Sequence, residues 1–254
     1  MKNLKYYDNI FGSKYLWRIT AMRRIGAIGV MVLILLFTFT ACTKQEKSYD
    51  MYIEETKLTD KEKQIIELLD VDEDYTIYDF KVDEGIQAMQ INIYELKDGK
   101  WSSISEGARV FKGTQGRLAL QFDNIGVGVT TALQSEYEKG NNSYTVEPPE
   151  NYEGMGKATS RLNSKTEIIY EKEIPLAIQI VTAKNEVTSY NVEYFYSPEE
   201  YTKYDYEYVY AITVRFSQKT INELNTEKSN LQKEKTEETE KEVDVEQQQE
   251  GKVV

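Results

Sequence analysis

Apolar residues recur at every second position through much of this chain. In Arg117–Asp123, Leu118, Leu120 and Phe122 point one way while Ala119 and Gln121 point the other. Ile125, Val127, Val129 and Leu133 form a second such set, Met89, Ile91 and Ile93 a third, and Leu176, Ile178 and Ile180 a fourth. Ile212, Val214 and Phe216 close the series. Strict alternation with one polar face predicts antiparallel, half-buried strands. Turn chemistry agrees: Lys97-Asp98-Gly99-Lys100 carries the Asp-Gly hairpin signal, and Asp123-Asn124 and Lys184-Asn185-Glu186 separate further pairs. About nine strands are expected, at 75–81, 86–96, 107–112, 117–123, 125–133, 165–172, 174–183, 187–197 and 205–217. The predicted fold is mainly β, an antiparallel immunoglobulin-like sandwich, although no Cys…Trp…Cys spacing of the antibody type is present.

The departures from this period are few. Thr59 followed by Glu62 makes a capping box with Leu58 as its staple. It predicts a helix of about three turns whose apolar side, Ile65, Ile66, Leu68 and Leu69, packs on the chain beyond it. Ser197-Pro198-Glu199-Glu200 predicts a single helical turn. Residues 136–164, rich in Gly, Asn and Pro, read as a surface excursion, with a binding loop as the alternative. Beyond Gln218 the chain is charged and lacks aromatics. Ile221, Leu224 and Leu231 give only weak helical periodicity, so a disordered or weakly helical tail is expected over 219–254. The expected organisation is a single domain over 57–218, preceded by a polar tether at 42–56.

The first 41 residues obey another logic. Arg23-Arg24 precede an apolar run from Ile25 to Phe37, then Thr38-Phe39-Thr40-Ala41 and the chain's single cysteine, Cys42. A basic region, an apolar region and a small residue before the cut are the marks of an export signal. With a cysteine next, residues 22–42 resemble the lipobox of bacterial membrane lipoproteins, with Phe39 standing where that pattern usually has Leu. The resemblance implies cleavage between Ala41 and Cys42, diacylglycerol on the Cys42 sulfur, and residence on the outer face of the bacterial cytoplasmic membrane. Two acyl chains suffice for stable anchoring where one does not. An uncleaved anchor is the alternative, although Ile25–Ala41 spans only 17 residues, near the lower limit for a spanning helix. Met22 opens a compact signal of its own and is a second candidate start.

Removing residues 1–41 leaves 25 basic and 42 acidic residues, a net charge of −17. Such a surface repels nucleic acid and anionic headgroups. There is no histidine, and a lipidated Cys42 leaves no free thiol, so the chain lacks the parts for Ser-His-Asp, Cys-His and His-ligated zinc chemistry. Asp70, Asp72 and Asp74 alternate like the start of a calcium loop, but Tyr75 and Lys81 stand where that loop needs Gly and Glu. No metal or cofactor is expected. Gly126 and Gly128 lack the strand-turn-helix setting of a phosphate loop.

Tyrosine is the most distinctive residue, with 20 in the chain. Tyr190, Tyr194 and Tyr196 are a candidate ligand face for glycan or peptide, since their rings offer stacking area with polar tips. Tyr206, Tyr208 and Tyr210 share parity with Ile212 and are expected in the core. These features point to a lipid-anchored, non-enzymatic binding or display protein. A cell-wall glycan hydrolase with paired carboxylates and an envelope interaction module are the alternatives.

Overall fold

A strand that alternates apolar and polar residues must cover its apolar side, and here two sheets do so for one another. The computed structural model describes residues 49–68, 75–149, 152, 154–188 and 190–230. The signal segment with Ala41 and Cys42, and the triplet Asp70, Asp72 and Asp74, lie outside them.

In chain order the described elements are β1 (Tyr52–Glu55), α1 (Asp60–Leu68), β2 (Tyr75–Lys81), β3 (Ala88–Lys97), β4 (Lys100–Val110), β5 (Gln115–Gln121) and β6 (Gly128–Ser135). Next come β7 (Lys139–Thr145), β8 (Gly156–Arg161), β9 (Thr166–Glu167), β10 (Glu173–Thr182), a 3₁₀ helix (Val192–Tyr196), α2 (Glu199–Thr202) and β11 (Tyr208–Ser217). A last helix, α3, covers 221–230. One sheet has the order β7-β6-β5-β2-β1-β9 and the other β4-β3-β11-β10-β8, with antiparallel pairing throughout. The mainly β, two-sheet expectation holds.

The two sheets share one core. Phe80 of β2 lies 5.2 Å from Phe216 of β11 and 5.5 Å from Phe111, ring centre to ring centre. Tyr78, fully buried, donates its hydroxyl to the Leu176 carbonyl across the sandwich at 3.0 Å. Gln179 is buried and satisfied, accepting from the Ile125 N–H and donating to the Asp123 carbonyl and the Thr159 hydroxyl. Gly126 is required beside it: a Cβ there would sit 2.4–2.7 Å from the Tyr210 ring. At the Lys97–Lys100 turn, Asp98 and Gly99 both take positive φ, 50° and 74°, as a tight two-residue hairpin demands.

Several expectations need correction. Eleven strands are found among the described residues, against about nine predicted. β1 lies within the expected tether, pairs with β2 and β9, and buries Ile53 completely. β7 and β8 fall in the 136–164 excursion, and Tyr152 between them packs against Tyr208. These are short or edge strands, so they have little to bury and show no alternation. The strand expected at 165–172 contracts to β9. The strand expected at 187–197 is instead the 3₁₀ helix, because the Asn191 side chain accepts from the Glu193 N–H at 3.2 Å and turns the chain locally.

The half-buried expectation also fails for two strands. Every residue of β10 after Glu173 is buried, and β11 is nearly so. The outward side chains Ile178, Ile180, Val209 and Ala211 lie beneath Phe195 of the 3₁₀ helix and Tyr201 of α2. The predicted turn at Ser197–Glu200 is present as α2, with Pro198 at its cap position. α1 keeps its capping box, with Thr59 and Glu62 bonded both ways, but it buries no residue. Ile65 and Leu68 are 57 % and 84 % exposed, and α1 is tied to the sheet through Glu62 and Arg117 at 2.7 Å. Order also continues past Gln218. Thr220 and Glu223 form a second capping box, and Leu224 of α3 is buried.

Candidate functional site

The outer face of the β4-β3-β11-β10-β8 sheet is split between two chemistries. Toward one end, Tyr94, Leu96 and Trp101 join Ile178, Ile180 and Val209 beneath the 3₁₀ helix and α2. Trp101 stacks on Phe195 at 5.2 Å and donates its indole N–H to the Phe195 carbonyl at 2.7 Å. Toward the other end the outward residues turn polar. Register places Glu106, Asn92 and Thr213 in one row across β4, β3 and β11. Ala108, Gln90, Arg215 and Glu173 make the next row, across β4, β3, β11 and β10.

These residues floor a groove of about 460 Å³, and Ile221, Leu224, Asn225, Glu227 and Lys228 of α3 form its wall. The volume lies in the range of small-ligand sites. Glu173 accepts from Asn92 Nδ2 at 2.8 Å, from the Tyr94 hydroxyl at 3.2 Å and from the Thr213 hydroxyl. Arg215 donates through Nε to Gln90 Oε1 at 2.6 Å. Lys228 reaches Glu106 at 2.8 Å.

The Asn92 amide is oriented by its neighbours. Its nitrogen faces the Glu173 carboxylate, which can only accept, so its oxygen must point away. That oxygen is shielded from water and has no partner, and the whole residue is 4 % exposed. Burial and then the nearby Glu173 push the Tyr94 hydroxyl well above its ordinary pKa. Burial alone would raise Glu106, but hydrogen bonds from Lys228 and Ser103 outweigh it and hold the carboxyl below its usual range.

Two further recesses exist, one lined by Ile86, Phe111 and Tyr137, the other by Ile77, Ala119 and Ala132 on the opposite sheet. Neither has an unpartnered buried polar atom in its lining. Among the described residues there is no cluster of His, Cys, Asp or Glu placed to hold a metal, and no helix long and apolar enough to cross a membrane.

The structure separates the tyrosines singled out from the sequence. Tyr190 and Tyr194 stack at 4.3 Å within the aromatic cap, and Tyr190 donates to the Tyr204 hydroxyl at 2.9 Å. That bond, with burial second, pushes Tyr190 up to about 12. Tyr196 turns the other way, half exposed, and donates to the Glu173 carbonyl at 2.6 Å beside the groove. Because 187–197 is not a strand, the three do not share a strand face. Tyr210 is buried in the core and Tyr208 packs against it as expected, whereas Tyr206, which precedes β11, joins the outer cluster.

The groove residues Gln90, Asn92, Glu173 and Arg215 were missed by sequence reasoning. The available signal was that Gln90 and Asn92 alternate with Met89, Ile91 and Ile93 and so must face outward. Their meeting with Glu173 and Arg215 depends on register between strands more than 80 residues apart. No protein-family model, curated protein or solved structure matches this chain.

Proposed function

We propose that this chain is a lipid-anchored surface protein whose β-sandwich binds a ligand in the groove beside α3 and leaves it chemically unchanged. Cys42, following Ala41, is the lipidated residue in this reading, and the outer face of a bacterial cytoplasmic membrane is its location. The basic, apolar and small-residue order of residues 22–42 supports the anchor. An immunoglobulin-like sandwich is the scaffold, a reading supported by two antiparallel sheets packed over a common core.

One observation carries the binding role: Arg215 in the groove's lining is bonded only through Nε to Gln90, and among the described residues its two terminal nitrogens have no hydrogen-bond partner. Glycan hydrolysis needs a carboxylic acid of raised pKa opposite a second carboxylate. Glu106 and Glu173 both line the groove, but Glu106 is held low and Glu173 already accepts three hydrogen bonds, which favours binding over hydrolysis.

The anchor is tested by growing cells with an alkyne fatty acid. The wild-type chain is expected to take the label and sediment with membranes, and Cys42→Ala to do neither. A labelled Cys42→Ala chain would remove the anchor from the reading. The groove is tested by thermal unfolding with muropeptides, glycans, peptides and amino acids, since whatever binds the native state raises its melting temperature. A shift lost in Ala108→Trp, which fills the groove, is the expected result. No shift with any compound, or a shift that survives Ala108→Trp, sinks the binding role.

A further inference from the structure

Glu173 of β10 and Arg215 of β11 are directly opposed in the sheet. Side chains so placed start about 4.5–5.5 Å apart at Cβ, and opposite charges there ordinarily pair. These two do not. Arg215 is turned aside by Gln90, and Glu173 by Asn92, Tyr94 and Thr213. Among the described residues, the two terminal nitrogens of Arg215 have no hydrogen-bond partner. A planar fork of donors is thus left open at one point of the groove, with the Glu173 carboxylate at another.

Resting on the groove as a binding site, we propose that its ligand is a small zwitterion: a free α-amino acid or a dipeptide. Its carboxylate lies against the Arg215 fork, which matches a carboxylate bidentately. Its ammonium lies against the Glu173 carboxylate, which can only accept. The spacing suits this. The Glu173 carboxylate is drawn to the row of Asn92 and Thr213, two residues along the strands from that of Arg215, a rise of about 6.8 Å. An amino acid spans that gap with one hydrogen bond at each end. Gln90 and Thr213 are neutral spacers that stop the two protein charges from neutralising one another. A neutral glycan offers no anion for Arg215, and an anion alone brings no cation to Glu173.

The test is isothermal titration of the full chain, purified in detergent, with the common α-amino acids, D-alanine, glycylglycine and D-alanyl-D-alanine. Acetate, methylammonium and N-acetylglucosamine run alongside. At least one zwitterion is expected to bind with a Kd of about 1 mM or tighter. Acetate and methylammonium should bind at least about tenfold more weakly, since each meets only one end of the site. Arg215→Gln and Glu173→Gln should each weaken the zwitterion by about tenfold or more. Gln90→Leu keeps every charge but lets Arg215 swing onto Glu173, so it should abolish binding while its melting temperature holds or rises. That variant keeps the test decisive if Glu173→Gln fails to fold.

The proposal is overturned if no zwitterion binds, if acetate or methylammonium binds as well, or if Arg215→Gln and Gln90→Leu leave affinity unchanged. Binding of N-acetylglucosamine that Ala108→Trp abolishes, with every zwitterion inert, would overturn it while leaving the groove a binding site.

Discussion

Single side chains show how differently a polar group fares in this interior. Tyr78 and Tyr201 are both buried, yet the Tyr78 hydroxyl reaches the Leu176 carbonyl at 3.0 Å while the Tyr201 hydroxyl has no partner. A buried hydroxyl without a bond costs about 1–3 kcal/mol, whereas a made bond contributes about 1 kcal/mol. Tyr201→Phe is therefore expected to be neutral or stabilising in urea unfolding, and Tyr78→Phe to destabilise by about 1 kcal/mol. A clear loss in Tyr201→Phe would mean that its hydroxyl has a partner after all. Glu62 sits at the opposite extreme, on the surface. A hydrogen bond from Arg117, then those from the Thr59 N–H and hydroxyl, lowers its carboxyl from 4.5 to about 2. A depressed folded pKa means a contribution present above about pH 4.5 and lost as pH falls toward 2. An NMR titration should give a Glu62 midpoint near 2 that returns toward 4.5 in Arg117→Gln and with added salt.

Among the elements, α1 was read from its capping box, whereas the equivalent box of α3 was passed over in a tail expected to be disordered or weakly helical. Both open with a capping box, Thr59–Glu62 and Thr220–Glu223, and that local chemistry stands in the sequence wherever the helix docks. Docking is another matter. α1 has the more apolar sequence but buries nothing, while α3, in a charged tail, buries Leu224 against the groove floor. One buried leucine and the exposed Lys228–Glu106 and Lys219–Glu227 pairs hold α3, so its hold is weak. Leu224→Ala should speed amide exchange across 224–230 toward unfolded rates and leave β3 and β11 protected. Equal acceleration in β11 would show that α3 supports the sheet itself. The hairpin at Asp98-Gly99 was read correctly because positive φ at both positions is a residue-level demand. The 3₁₀ helix was misread because tyrosines favour strands in general and the Asn191 cap is a single local bond that reverses that preference.

At the scale of the molecule, one core joins the two sheets, and β10 and β11 are buried on both faces. The aromatic cap is thus built on strands that also line the core. Unfolding tracked by Trp101 fluorescence and by far-UV circular dichroism should give coincident transitions, because Trp101 reports the cap through Phe195. An earlier fluorescence transition would make residues 183–207 a separately melting unit. Phe216→Ala should lower stability by about 3–5 kcal/mol and move both signals together. By itself the sequence determined the β class, most strand positions, the hairpin, the Thr59–Glu62 capping box and the places where Tyr208 and Tyr210 face the core. All of these rest on preferences acting over a few residues. Only the tertiary structure decided that β1, β7 and β8 are strands, that β10 and β11 are covered twice, and that Asn92, Glu173 and Arg215 meet. Edge strands have too little to bury to announce themselves, and a site assembled across four strands depends on their register. Register is set by packing between residues far apart in the chain, and no local pattern records it.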